Sequence, residues 1–176
     1  MAKQLRIHVT CPDDRGLLAA VAGCLFELGG DLGDATFAVL GEEAALTCVC
    51  AVPDEIEEAA LEDTLGGLPA LQNAEISVRR FRLGHVHAQS GRATHVVRMR
   101  GLDRPGLVAR LAEGFSELGA NVVRFDAEHD ERGAEGEYVM RFEVWIPEGR
   151  EEAVLANAAN TAESIGLAFS SAVAAD

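Results

Sequence analysis

Asp13-Asp14-Arg15-Gly16-Leu17-Leu18-Ala19-Ala20-Val21-Ala22-Gly23-Cys24-Leu25-Phe26-Glu27-Leu28-Gly29-Gly30-Asp31-Leu32 is written into this chain twice, in two related versions. A shift of 90 positions places Gly16 on Gly106 and lays the whole stretch, without gaps, over Asp103 to Val122. Identical pairs are Asp13 with Asp103, Gly16 with Gly106, Leu17 with Leu107, Ala19 with Ala109, Ala22 with Ala112, Glu27 with Glu117, Leu28 with Leu118 and Gly29 with Gly119. Chance would give about one or two identities in such a window at ordinary residue frequencies of about 5 to 10%. Internal duplication accounts for the excess.

Upstream of each copy the residues alternate. Leu5, Ile7 and Val9 are interleaved with Arg6, His8 and Thr10, and Val97 and Met99 with Arg98 and Arg100. A period of two marks a half-buried strand. Within the copies, Leu17, Val21, Leu25 and Leu28 share one helical face, as do Leu107, Leu111, Phe115 and Leu118, and each helix is expected to stop at Gly29 or Gly119. Two hairpins follow. One runs from Asp31 to Val39 and Ala44 to Val52 around Gly41-Glu42-Glu43, the other from Asn121 to Glu128 and Glu137 to Ile146 around Arg132-Gly133. Counting from Pro53 to Pro147, the second is longer by four residues, an insertion placed at its tip.

Asp54 and Glu57 have capping-box spacing for a helix carrying Ile56, Leu61 and Leu65, answered in the second copy by Leu155, Ala158, Ala162 and Ile165. A last strand closes each copy, Glu75 to Phe81 and Leu167 to Val173. The order βαββαβ, twice, predicts an α+β chain of two tandem ferredoxin-like domains, antiparallel sheets with helices on one face. The expected boundaries are 1–83, a polar linker over 84–93, and 94–176. Domains this small are marginal alone, so packing of the copies or a homodimer through exposed sheet edges is expected.

Composition narrows the function. Of the 176 residues 48% are apolar and 25% charged, with no run of the ~18 apolar residues a membrane helix needs. The first residues run straight into a strand pattern and not into a secretory signal, so a cytoplasmic protein is expected. A formal charge of −14 repels the phosphate backbone and argues against direct nucleic-acid binding. Cys11, Cys24, Cys48 and Cys50 lack metal-site spacing and are read as buried thiols. His85 and His87 read as linker residues, and no metal or cofactor site is expected. Asp126, Glu128, Asp130 and Glu131 match a calcium loop only in charge, since Glu131 stands where that turn requires glycine. Ser116 falls inside a helix, not at a nucleophile elbow.

The turns Cys11-Pro12-Asp13-Asp14-Arg15-Gly16-Leu17 and Gly101-Leu102-Asp103-Arg104-Pro105-Gly106-Leu107 each deliver a helix N-terminus. Unpaired backbone N–H groups and the positive end of the helix dipole favour a carboxylate there, and glycine lets a ligand come close to the backbone. Asp13 and Asp103 supply the opposite sign, suited to the ammonium of an amino acid. Their alternative role is to cap the helix.

These features resemble the ACT domain family, through Asp103-Arg104-Pro105-Gly106-Leu107 followed by Phe115, Leu118-Gly119 and Asn121-Val122. The hairpin sequence Ala38-Val39-Leu40-Gly41-Glu42-Glu43 and the tandem layout are similar to ACT proteins of the glycine cleavage system transcriptional repressor type. The resemblance implies that Asp103 and Asn121, and in the first copy Asp13 and Asp31, contact an amino acid across an ACT–ACT interface. Arg15 replaces the usual proline in the first copy, and Cys11 and Gly101 stand where some members carry histidine. The expected ligand-binding set is Asp13, Asp14, Arg15, Gly16, Leu17, Asp31, Asp103, Arg104, Pro105, Gly106, Leu107 and Asn121.

The expectation is therefore a non-enzymatic regulator that binds a small amino-acid-like ligand and acts through a protein partner such as a transcription factor. Two alternatives remain open: a ligand-free interaction module whose aspartates only cap helices, and a small ferredoxin-like enzyme using Asp13 and Asp103 as acid and base.

Overall fold

A computed structural model describes residues 2–82, 88–130 and 137–175. The chain divides into two compact units, Met1–Leu83 and Gly84–Asp176. The first is built from β1 (Ala2–Pro12), α1 (Leu17–Glu27), β2 (Asp31–Leu40), β3 (Glu43–Pro53), α2 (Glu58–Gly66) and β4 (Glu75–Arg80). The second repeats the order with β5 (His95–Leu102), α3 (Leu107–Glu117), β6 (Asn121–His129), β7 (Glu137–Trp145), α4 (Glu151–Ser164) and β8 (Ala168–Val173). The sheets run β2-β3-β1-β4 and β6-β7-β5-β8, with every pairing antiparallel. Both units are thus the α+β ferredoxin-like βαββαβ arrangement.

The alternating positions sort as the period requires. Leu5, Ile7 and Val9 are buried while Arg6 and His8 are exposed, and Val97 and Met99 are buried beside exposed Arg98 and Arg100. Onto these faces α1 packs Leu17, Val21 and Leu25, and α3 packs Leu107, Leu111 and Phe115. Each helix ends in the same motif. In α1, Gly29 (φ +74°) donates to Phe26 and Gly30 donates to Leu25; in α3, Gly119 (φ +77°) donates to Ser116 and Ala120 donates to Phe115. That pair of bonds satisfies carbonyls the helix leaves open, and the left-handed conformation suits glycine.

Some local expectations are displaced. Asp54 is not the N-cap: the Ile56 N–H first closes a turn onto the Pro53 carbonyl at 3.1 Å, and the helix begins only at Glu58, with Glu57 as N-cap and no side-chain cap. The second helices also differ in length, 9 residues in α2 against 14 in α4, because Gly66-Gly67 and Pro69 break the first. A single 3-10 turn, Pro69–Leu71, continues it and buries Leu71 in the core.

The first hairpin closes over Gly41-Glu42, with Leu40 opposite Glu43. The tip of the second, including Arg132-Gly133, lies outside the described residues, as do His85, His87 and Glu131. Within 84–93, Gln89–Gly91 forms a 3-10 turn, and the Ser90 carbonyl accepts a hydrogen bond from Asn121 Nδ2 at 2.7 Å. The edge strands β2 and β6 leave apolar side chains partly open, Leu32, Phe37, Val39 and Leu40 on one, Val123 and Phe125 on the other.

Cys48 and Cys50 point into the first core, alongside Leu46 and Val52, and all four thiols are free and buried. Burial, with Cys50 adding to it, pushes the Cys48 thiol from 9.0 up to about 11. A raised folded pKa contributes stability that is complete below the unfolded value and is lost as pH rises through the folded one. Urea unfolding midpoints should therefore fall between pH 9.0 and about 11, less steeply in Cys48→Ala. Identical slopes in the two proteins would contradict the buried thiol.

Gly16 and Gly106 open α1 and α3 at φ +86° and +85°, and a Cβ on either would meet no atom within 4 Å. The requirement is one of backbone conformation, not of space. Gly16→Ala should thus lower stability by about 1 kcal/mol in urea unfolding, the order of cost for an L-residue held left-handed. An unchanged midpoint would show that the turn tolerates another conformation.

Candidate ligand-binding site

The turn leaving β1 is tied to the hairpin tip, because the Asp13 N–H donates to the Glu42 carbonyl at 2.8 Å. Asp14 Oδ1 accepts the Arg15 N–H at 2.6 Å, and the chain then passes through Gly16 into α1. The N-cap positions are the glycines, and neither α1 nor α3 receives a side-chain cap. Asp13 and Asp103 therefore do not cap the helices. The first N–H groups of a helix have no partner within it; that of Leu107 donates back to the Arg104 carbonyl at 3.3 Å, and the amides that follow lie at the positive end of the dipole.

In the first unit Asp13 is exposed on an open depression with Thr10, Cys11, Pro12, Gly41, Glu42, Glu43, Asn73 and Glu75. Three further carboxylates there give a negative surface that suits a cationic group. Cys11 forms its floor; burial first, then the charges of Asp13 and Glu43, raise its thiol. Arg15 and Asp14 are exposed, while the Leu17 side chain is buried in the core and leaves only its backbone for a ligand.

The second unit groups Asp103, Arg104, Pro105, Gly106 and Leu107 with Val108, Ala109 and Tyr138 around one shallow depression. Leu107, like Leu17, is a core residue at 5% exposure. Asp103 is not free. Its Oδ2 pairs with His129 Nε2 at 3.1 Å, and the imidazole lies against the Tyr138 ring with centroids 4.8 Å apart. Sequence analysis missed both residues. Its signal was available, since the cross-strand pair His129–Tyr138 answers Val39–Ala44 in the first unit once the four-residue insertion is allowed for.

Asp31 and Asn121 are not brought to the turns of their own units. Each follows the far end of an 11-residue helix, about 16 Å long at 1.5 Å per residue, so the helix separates it from Asp13 or Asp103. Asn121 also spends one donor on Ser90. Gly101 has a structural reason: a Cβ there would lie 2.6 Å from Leu167 Cδ2 and 3.1 Å from the Gly166 carbonyl oxygen, so a side chain would require that neighbouring segment to shift.

Other candidate chemistry is occupied by structure. Asp126 pairs with Arg124 at 3.1 Å and Arg141 at 3.8 Å on the sheet surface, and Ser116 is exposed on α3. Among the described residues no group of three His, Cys, Asp or Glu is arranged to hold a metal ion, and no helix is long and apolar enough to cross a membrane.

Residues 95–154 match the model of the ACT domain family. No curated protein sequence matches the chain. Among solved structures, an unknown protein from Galdieria sulphuraria is similar over 99% of this chain and 100% of its own, at 19% identity and a TM-score of 0.77. A protein whose assignment as a glycine cleavage system transcriptional repressor is provisional is similar over 100% of this chain and 99% of its own, at 13% identity and a TM-score of 0.71. At these identities the likeness is one of fold. The family match lies within the second unit, and a tandem ACT-like fold runs from end to end.

Proposed function

We propose that this protein is a non-enzymatic regulator that binds a small amino-acid-like ligand at its β–α turns. The observation that carries this is the repeated pairing of an exposed aspartate with an uncapped helix start, Asp13 with Gly16 and Asp103 with Gly106. A carboxylate is stabilised at the helix N–H groups and an ammonium at the aspartate, so a zwitterion satisfies both signs where either ion alone satisfies one. Asp31 and Asn121 would complete such a site only from another copy of the module, as in a homodimer, because the helix holds them away from the turn of their own unit.

The regulatory output rests on the fold this chain resembles. A bound ligand changes packing at the turn, and a protein partner, in our proposal a transcription factor governing amino-acid or one-carbon metabolism, reads that change. Similarity to the repressor-type structure supports the direction of this proposal. The net charge of −14 favours control through a protein over direct contact with DNA.

A thermal-shift scan against the twenty amino acids tests the proposal. An amino acid at ~100 times its dissociation constant should add ~2.7 kcal/mol, and Asp13→Ala together with Asp103→Ala should abolish the gain. No stabilisation by any of the twenty would contradict it. The same variants separate binding from capping. Asp13 is exposed and its side chain makes no hydrogen bond to α1, so Asp13→Ala should alter stability by less than about 0.5 kcal/mol, against the ~1 kcal/mol of a lost cap.

A further inference from the structure

The duplication supplies its own control for the two turns, and they differ at one cross-strand pair. At the matching cross-strand position of the first unit stand Val39 and Ala44, neither of which can bond a carboxylate. Beside Asp103 stand His129 and Tyr138. His129 reaches from the last residue of β6 to Asp103 Oδ2 at 3.1 Å, and the Tyr138 ring from β7 supports the imidazole at 4.8 Å. The imidazole thus occupies the carboxylate that an ammonium would need.

Among the described residues, the neighbouring charged groups have other places. Asp130, next along the chain, and Glu137, at the start of β7, are bridged by Arg100 from β5, at 2.9 Å and 2.7 Å. Arg104 follows Asp103 in the turn and is exposed, and Glu128 lies on the opposite face of β6 from His129. Asp103 is therefore the carboxylate that His129 engages directly.

Resting on the amino-acid site proposed above, we infer that His129 is an intramolecular latch on the second site, competing with the ligand's ammonium for Asp103, and that the first site has no latch. The imidazole must leave Asp103 Oδ2 before an ammonium can take that oxygen, so removing it raises affinity at the second site and leaves the first unchanged. The pair is solvent-exposed, 62% for the histidine side chain and 45% for the aspartate, so the effect is small. Exposed ion pairs alter equilibria by about two- to fivefold, and that is the change expected in the dissociation constant.

The twenty amino acids are titrated as probes in an Asp13→Ala background, where only the second site reports, with and without His129→Gln. The latch predicts binding about two- to fivefold tighter when His129 is replaced. Equal affinity in the two proteins overturns the latch and leaves the site intact. Absence of binding by any probe, with or without His129, overturns the site itself and the latch with it.

Discussion

The turn from strand to helix at Gly16 and Gly106 constrains the path of the chain through each unit. A left-handed residue there redirects the backbone from the sheet onto the helix layer without spending a side-chain cap, and glycine takes that conformation at little cost. One consequence is structural: Leu17 and Leu107 arrive immediately on the core face, fixing the phase of α1 and α3 against their sheets. The other is chemical. The same arrangement leaves the helix start without a side-chain cap, beside an aspartate that the turn holds at the surface.

Duplication allows the two turns to diverge while the scaffold stays constant. α1 and α3 keep a fixed spacing of 90 positions at both ends, and both edge strands carry a register irregularity near their start. Against that background the substitutions stand out. Arg15 replaces Pro105, Cys11 faces Gly101, and Val39–Ala44 replaces His129–Tyr138. The first turn opens on a surface of carboxylates, whereas the second keeps its aspartate paired. Two turns of one ancestry thus present different electrostatics at the surface.

Much of the fold could be read from the sequence, for physical reasons. Periods of two and 3.6 report which side chains face a core, and Leu5, Ile7, Val9, Leu17, Val21 and Leu25 all lie where those periods put them. Glycine punctuation reported the helix ends at Gly29 and Gly119. Signals depending on one local contact were weaker. Asp54 and Glu57 have capping-box spacing, yet a turn closing on Pro53 delays the helix. The repeat suggested matching second helices, but Gly66-Gly67 and Pro69 shorten one of them. At the candidate site, residues contiguous with the glycine turn were legible, whereas His129 and Tyr138 reach it through strand pairing beyond a length change in the hairpin. Asn121's bond to Ser90 likewise depends on where the preceding segment packs.

The central claim is one of place: an amino acid binds where a helix begins uncapped beside an aspartate. Backbone amide spectra of the ¹⁵N-labelled full chain, recorded while an amino acid is titrated in, test it most directly. The account predicts that the amides of Gly16 to Leu18 or Gly106 to Val108 move first and furthest, with those of the adjoining hairpin behind them. Saturable shifts confined to other surfaces, with both turns silent, would contradict it.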